Sequence, residues 1–173
     1  MTTAIIIILL TIVFSAFFSG MEIAFIASNR LRIELDKKQG NFTSRLITIF
    51  TSNSSQYITT MLVGNNIALV IYGTYMAELL EPYIQIYIQS SLSLLLIQTV
   101  VSTFIILITA EFLPKVIFRN NPNVALNVFA VPIFMFYVTL FPLASFTNWL
   151  SKLLIRTTIK VNLPGKQTQA SFS

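Results

Sequence analysis

Residues 4–27 are almost unbroken isoleucine, leucine, valine, phenylalanine and alanine, with neither the alternation of a half-buried strand nor the polar face of a surface helix. A bilayer core of ~30 Å is crossed by ~20 apolar residues in a helix, so this run predicts a membrane span. Similar stretches occupy residues 57–80, 91–118 and 124–155, the last interrupted by Pro132 and Pro142. Between the first two lies the polar, basic segment "SNRLRIELDKKQGNFTSRLITIFTSNSSQ", with amphipathic pieces at 31–35 and 46–50. The pattern predicts an all-α integral membrane protein. The polar tail "VNLPGKQTQASFS" predicts a linker from about residue 157 to 173 after a membrane domain of residues 1–156. No internal repeat is present.

Charge adds an orientation. Lysine and arginine concentrate in cytoplasmic loops. Arg30, Arg32, Lys37, Lys38 and Arg45 follow the first span, residues 81–90 carry no basic residue, Lys115 and Arg119 close the third span, and Lys152, Arg156, Lys160 and Lys166 follow the fourth stretch. If 124–155 simply crossed, the basic tail would land outside. Each proline costs a backbone hydrogen bond and bends or breaks a helix. The preferred expectation is therefore three true spans and a fourth stretch folded as a bent, re-entrant or interfacial helical pair, entering and leaving on the cytoplasmic side. The alternative is four ordinary spans with a basic tail outside.

Composition confirms the solvent and narrows the chemistry. Of 173 residues, 55% are hydrophobic and only 10% charged, against about 25% charged in soluble domains; mean hydropathy is +0.78. The net charge of +5 belongs to membrane orientation, and no aromatic–basic interleaving suggests a nucleic-acid partner. There is no cysteine and no histidine, which removes disulfides, thiolate nucleophiles, soft-metal sites and the usual triads. The first stretch lacks the basic start and cleavage site of a signal peptide and is expected to be retained.

Against this background the polar residues inside the spans stand out, because ionisable groups there cost ~2.5–3.5 kcal/mol and mark function by default. Thr11, Ser15, Ser19 and Glu22 recur at spacings of four, four and three, one helical face. The bland reading is a packing seam whose hydroxyls bond backbone carbonyls. The second span carries "MLVGNNIALV", where Gly64 permits close approach and Asn65 and Asn66 bring amides into an apolar run. In "TAEFLPKVIF", Pro114 lacks an N–H, so the carbonyl of Ala110 loses its helical partner beside Glu111. Lys115, four residues on, is the available counter-charge. Hydroxyls, amide oxygens, a backbone carbonyl and a carboxylate form a hard donor set, suited to Mg²⁺, Ca²⁺, Mn²⁺ or Na⁺.

"FFSGMEIAFIASNRLRIELDKKQGN", "MLVGNNIALV" and "TAEFLPKVIFRNNP", in that order, resemble the signature stretches of the CNNM/CorC family membrane domain (DUF21), found in magnesium and cobalt efflux and hemolysin-like proteins. The resemblance covers about residues 10–155. It implies a homodimer in the bacterial inner membrane with three transmembrane helices per protomer, a cytoplasmic helix–turn–helix after the first and a juxtamembrane helical belt after the third. It also implies a Mg²⁺ site made from Ser19, Gly20, Asn65 or Asn66, and Glu111, with Ser15 and Glu22 as further members. Relatives commonly continue into a cytoplasmic CBS-domain pair that binds ATP; this sequence stops before one, so nucleotide regulation is not expected within it. Met21 and Ala110 stand where many relatives have a small residue and a glycine.

Two functions are expected to compete. The first is Mg²⁺ export by alternating access, with inward Na⁺ as the candidate coupling ion. The second is a Mg²⁺-binding sensor or scaffold that regulates a partner and moves no ion. No enzymatic constellation is present.

Overall fold

The computed structural model describes residues 2–29, 31, 33–35, 42–88 and 90–161, with side chains through residue 154. Helix is the only regular structure among them. In chain order the elements are α1 (Thr2–Ala27), α2 (Phe42–Ser52), α3 (Ser54–Ile84), α4 (Ser91–Ile106), a π-helical turn (Leu107–Phe112), α5 (Leu113–Asn120) and α6 (Pro122–Val161). Leu31 and residues 33–35 are also helical. Residues 36–41, Lys37 and Lys38 among them, lie outside the described residues.

Among the described residues, three helices are long and apolar enough to cross a membrane: Thr2–Ala27, Ser91–Asn120 and Pro122–Leu154. The sequence expectation had chosen residues 57–80 as the middle span. The corresponding helix α3 has the length, 31 residues, but Gly64, Asn65, Asn66 and its threonines lower its hydropathy. The reason is visible in the packing, since α3 is the helix that α1 covers most extensively.

Two clusters hold the bundle. Ile8 packs with Tyr72, Met76, Ile106 and Ala110, while Phe25 stacks on Tyr57 with ring centroids 4.2 Å apart. Early residues of α1 thus meet late residues of α3, so the two helices run antiparallel. The second cluster joins Met21 and Phe25 of α1 to Phe50 of α2, Tyr57 and Met61 of α3, and Leu126 and Ile133 of α6. Helix α4, by contrast, turns Leu92, Leu95, Leu96, Val100 and Phe104 outward. In water that would be a liability; in hydrocarbon the surroundings are as apolar as the side chains.

The fourth stretch corrects one expectation. It is one helix, not a pair, and continues through Pro132 and Pro142. Leu126, Ala130, Ile133, Tyr137 and Ala144 are all buried, spaced as a single helical stripe, and that continuous seam carries α6 past both prolines. Asn123 accepts a hydrogen bond from the backbone N–H of Asn29, just beyond α1. Near the other end, Gln56 donates to the Phe141 carbonyl (3.2 Å) and Ser145 (3.1 Å), and Thr59 donates to Asn148 (2.7 Å). Asn29 and Gln56 lie at the same end of the antiparallel α1–α3 pair. Both ends of the Asn123–Asn148 segment thus contact the end of the α1–α3 pair where Asn29 and Gln56 lie.

Candidate ion site between α1, α3 and the π-helical turn

The polar face of α1 is buried: Thr11, Ser15 and Ser19 are 6%, 0% and 1% exposed. Their fates differ. Thr11 donates to the carbonyls of Ile7 and Ile8, as a packing seam requires. Ser15 donates across to Oδ1 of Asn65 at 2.7 Å. Ser19 Oγ is buried with no hydrogen-bond partner, the one such side-chain atom among the described residues. Buried polar atoms are paired in the great majority of cases, and an orphan costs ~1–3 kcal/mol.

The two asparagines separate cleanly. Asn65 is buried and faces α1; Asn66 is exposed. One residue turns a helix by 100°, so only one of the pair can look inward. Asn65 Oδ1 accepts from Ser15 and keeps a second lone pair. Within one chain, Asn66 does not join this face.

Both glycines serve close approach. A Cβ on Gly20 would lie 2.7 Å from the Phe118 ring of α5, and one on Gly64 would lie 2.7 Å from the Phe18 ring of α1. Gly64 is thus consumed inside the chain. Gly73, by contrast, meets nothing within 4 Å.

Of the charged members, Glu22, Glu111 and Lys115 are each half-buried, and Glu22 lies within electrostatic reach of Lys115 and Glu111. On a helix rising 1.5 Å per residue, Ser19 sits about 6 Å along the axis from Ser15 and about 4.5 Å from Glu22. No hydrogen bond joins Ser19 to Glu111, and among the described residues no three carboxylate, histidine or cysteine side chains converge. Glu111 also lines a cleft of about 270 Å³ with Tyr72, Gly73 and Ser102.

Two features escaped sequence reasoning. The helix around Ala110 is not simply broken by Pro114 but widened: Leu107–Phe112 is π-helical, and Leu113 donates to the Ile108 carbonyl five residues back. Such bulges re-aim side chains and recur at functional sites. The proline was the only signal. Tyr57, fully buried, donates to the Met21 carbonyl at 3.3 Å. A tyrosine in the first turn of an apolar helix offered no hint of that partner.

This all-α bundle, with polar side chains turned inward between long apolar helices, is a multi-pass membrane domain. Residues 5–171 match the family model described as the Cyclin M transmembrane N-terminal domain, CNNM. The chain belongs to that family. It is 28% identical over 142 residues to the UPF0053 inner membrane protein YfjD of Escherichia coli, covering 82% of this chain and 32% of that protein. It is 28% identical over 120 residues to the UPF0053 protein MG146 of Mycoplasma genitalium, covering 69% of this chain and 27% of that protein. The chain thus spans about a third or less of these relatives.

Proposed function

We propose that this domain binds Mg²⁺ between α1, α3 and the π-helical turn and exports it by alternating access across the bacterial inner membrane. The observation that carries the reading is the buried, unpartnered Ser19 hydroxyl. A cation with Ser19 Oγ and Asn65 Oδ1 as ligands satisfies that orphan, with a backbone carbonyl at Gly20 adding a hard oxygen and Glu111 the charge. Ser15 holds Asn65 in place. Mg²⁺ prefers oxygen and gives up water reluctantly, so a partly neutral site that leaves water on the ion suits it. Lys115 is the counter-charge when the ion is absent, and Na⁺ is the candidate coupling ion.

The distribution of basic residues supports a topology in which α1, α3 and α4–α5 cross and α6, although apolar enough to span, forms a belt at the cytoplasmic end, where Arg45, Lys115, Arg119 and Lys152 collect. Two copies form a homodimer through the outward faces of α3 and α4, which carry Asn66 and Gly73. In longer family members a CBS pair follows the belt. The inner-membrane setting is supported by the name of the Escherichia coli relative.

Flux into proteoliposomes carrying an entrapped Mg²⁺ indicator tests transport. The native protein should move Mg²⁺, and Glu111→Gln should lower the rate by at least about tenfold, the equivalent of ~1.4 kcal/mol. Native protein that binds Mg²⁺ but gives no flux above empty vesicles overturns export in favour of the sensor reading.

A further inference from the structure

The residues around Ser19 are sealed: Ser15, Ser19 and Phe18 are 0%, 1% and 4% exposed. An ion reaches Ser19 only if a covering group moves. The groups that cover the two glycines are the rings of Phe118 and Phe18, and they differ in freedom. Phe18 is buried and wedged, with ring centroids 5.6 Å from Phe17, 5.1 Å from Phe136 and 6.5 Å from Phe14. Phe118 is only half-buried and sits on the short helix directly after the π-helical turn. Among the described residues its ring has one aromatic neighbour, Phe129 of α6, stacked at 5.8 Å with an interplanar angle of 29°. Phe129 in turn meets Phe17 edge-on at 5.7 Å.

We infer that Phe118 is a lid over the Ser19–Gly20 segment and that Phe129 of α6 is the latch that holds it shut. Only a glycine lets an aromatic ring rest directly on the helix backbone, so Gly20 provides the seat. When the ring leaves, the backbone at Gly20 is uncovered, one residue from the Ser19 hydroxyl. An aromatic pair adds a modest attraction beyond its buried area, enough to hold a half-exposed ring closed and small enough to release. Because the latch belongs to α6, a shift of the belt unlatches the site, and access becomes a function of the belt's position. The mechanical part stands on the packing; the identification of what the lid guards rests on the Mg²⁺ reading above.

The absence of cysteine allows a direct test. Ser19→Cys, nearly isosteric, reports access through its rate of reaction with a small cationic methanethiosulfonate in detergent, with Ser15→Cys as a second reporter. In the otherwise native chain the reaction should be slow. Phe118→Ala and Phe129→Ala should each accelerate it by about tenfold or more, the factor expected when a local opening becomes ~1.4 kcal/mol easier. Met76→Ala controls for general loosening: Met76 is buried in the other cluster, with Ile8, Tyr72 and Ile106, toward the far end of α3. It should leave the rate within about threefold of native, as a lost contact far from the lid predicts. Unchanged rates in Phe118→Ala, or equal acceleration by Met76→Ala, overturn the lid. A second arm separates the lid from its cargo. In Phe118→Ala, Mg²⁺ should slow labelling at Ser15→Cys, which leaves the Ser19 and Asn65 oxygens in place; acceleration by Phe118→Ala without any Mg²⁺ effect keeps the lid and removes the ion reading.

Discussion

Asn65 and Asn66 are adjacent, chemically identical and equally conspicuous in the sequence, yet one is buried against Ser15 and the other faces outward. Composition could not choose between them, because the choice depends on which face of α3 meets α1, a property of the packed pair. The structure makes the difference measurable. Asn65→Ala should lower stability by about 1–2 kcal/mol, the cost of stranding a buried hydrogen-bond partner, whereas Asn66→Ala should stay within about 0.5 kcal/mol in the monomer, as an exposed substitution does. Thermal melts in detergent with the protein held monomeric compare them. The serine stripe, by contrast, was legible: spacings of four and three put Thr11, Ser15, Ser19 and Glu22 on one face, and the three hydroxyl residues are buried there. What the spacing did not reveal is that Thr11 is satisfied by its own helix while Ser19 is not. Hydrogen-bond completion depends on what the neighbouring helix presents, and no single-chain period encodes that.

Among the elements, α1 and the 91–120 segment were plain from hydropathy, since each is a long run with few interruptions. Helix α6 was misread as a pair because two prolines ten residues apart are strong local breakers. The winning term is tertiary: the stripe from Leu126 to Ala144 buries one continuous edge on α1, α2 and α3. This predicts a sharp contrast along α6. Ala130, fully buried, should tolerate leucine poorly, at about 1–3 kcal/mol for overpacking. Val128, 64% exposed, should accept leucine with no measurable cost. Equal tolerance at both positions in a melting series would mean that α6 is not docked by this face. The π-helical turn was hinted at by Pro114 but not legible as such, because a missing N–H can be absorbed by a kink, an unpaired carbonyl or a widened turn, and only packing around the buried Ala110 decides.

At the scale of the whole molecule, charge carried the most information. The described basic residues Arg45, Lys115, Arg119 and Lys152 belong to the end of the bundle where Asn29 and Gln56 also lie, and Glu78 and Glu81 line a cleft between the far ends of α3 and α4. Membrane orientation follows such an asymmetry, so single cysteines at positions 115 and 160 should both be protected from an impermeant reagent added outside intact cells, and one at position 86 should react. Reaction at 160 from outside would show that α6 crosses. Assembly is testable through the glycines. Gly73 has open space where a Cβ would go, so Gly73→Ala should leave the monomer as stable or up to about 1 kcal/mol more so, from helix propensity. Gly73→Leu should weaken the dimer measured by mass photometry. Unchanged dimer affinity in Gly73→Leu would move the interface elsewhere.

All of these scales meet at the orphaned hydroxyl. Isothermal titration of Mg²⁺ into the purified, metal-free native protein, Ser19→Ala and Glu111→Gln, each first shown to melt cooperatively, measures whether that hydroxyl and that carboxylate hold an ion. The native protein should bind. Ser19→Ala should bind at least about tenfold more weakly, and be as stable as the native chain or more so without metal, because removing the orphan removes its desolvation penalty. Glu111→Gln should weaken binding further, since a divalent cation in a low dielectric depends on a formal counter-charge. Unchanged Mg²⁺ affinity in well-folded Ser19→Ala and Glu111→Gln would contradict the site.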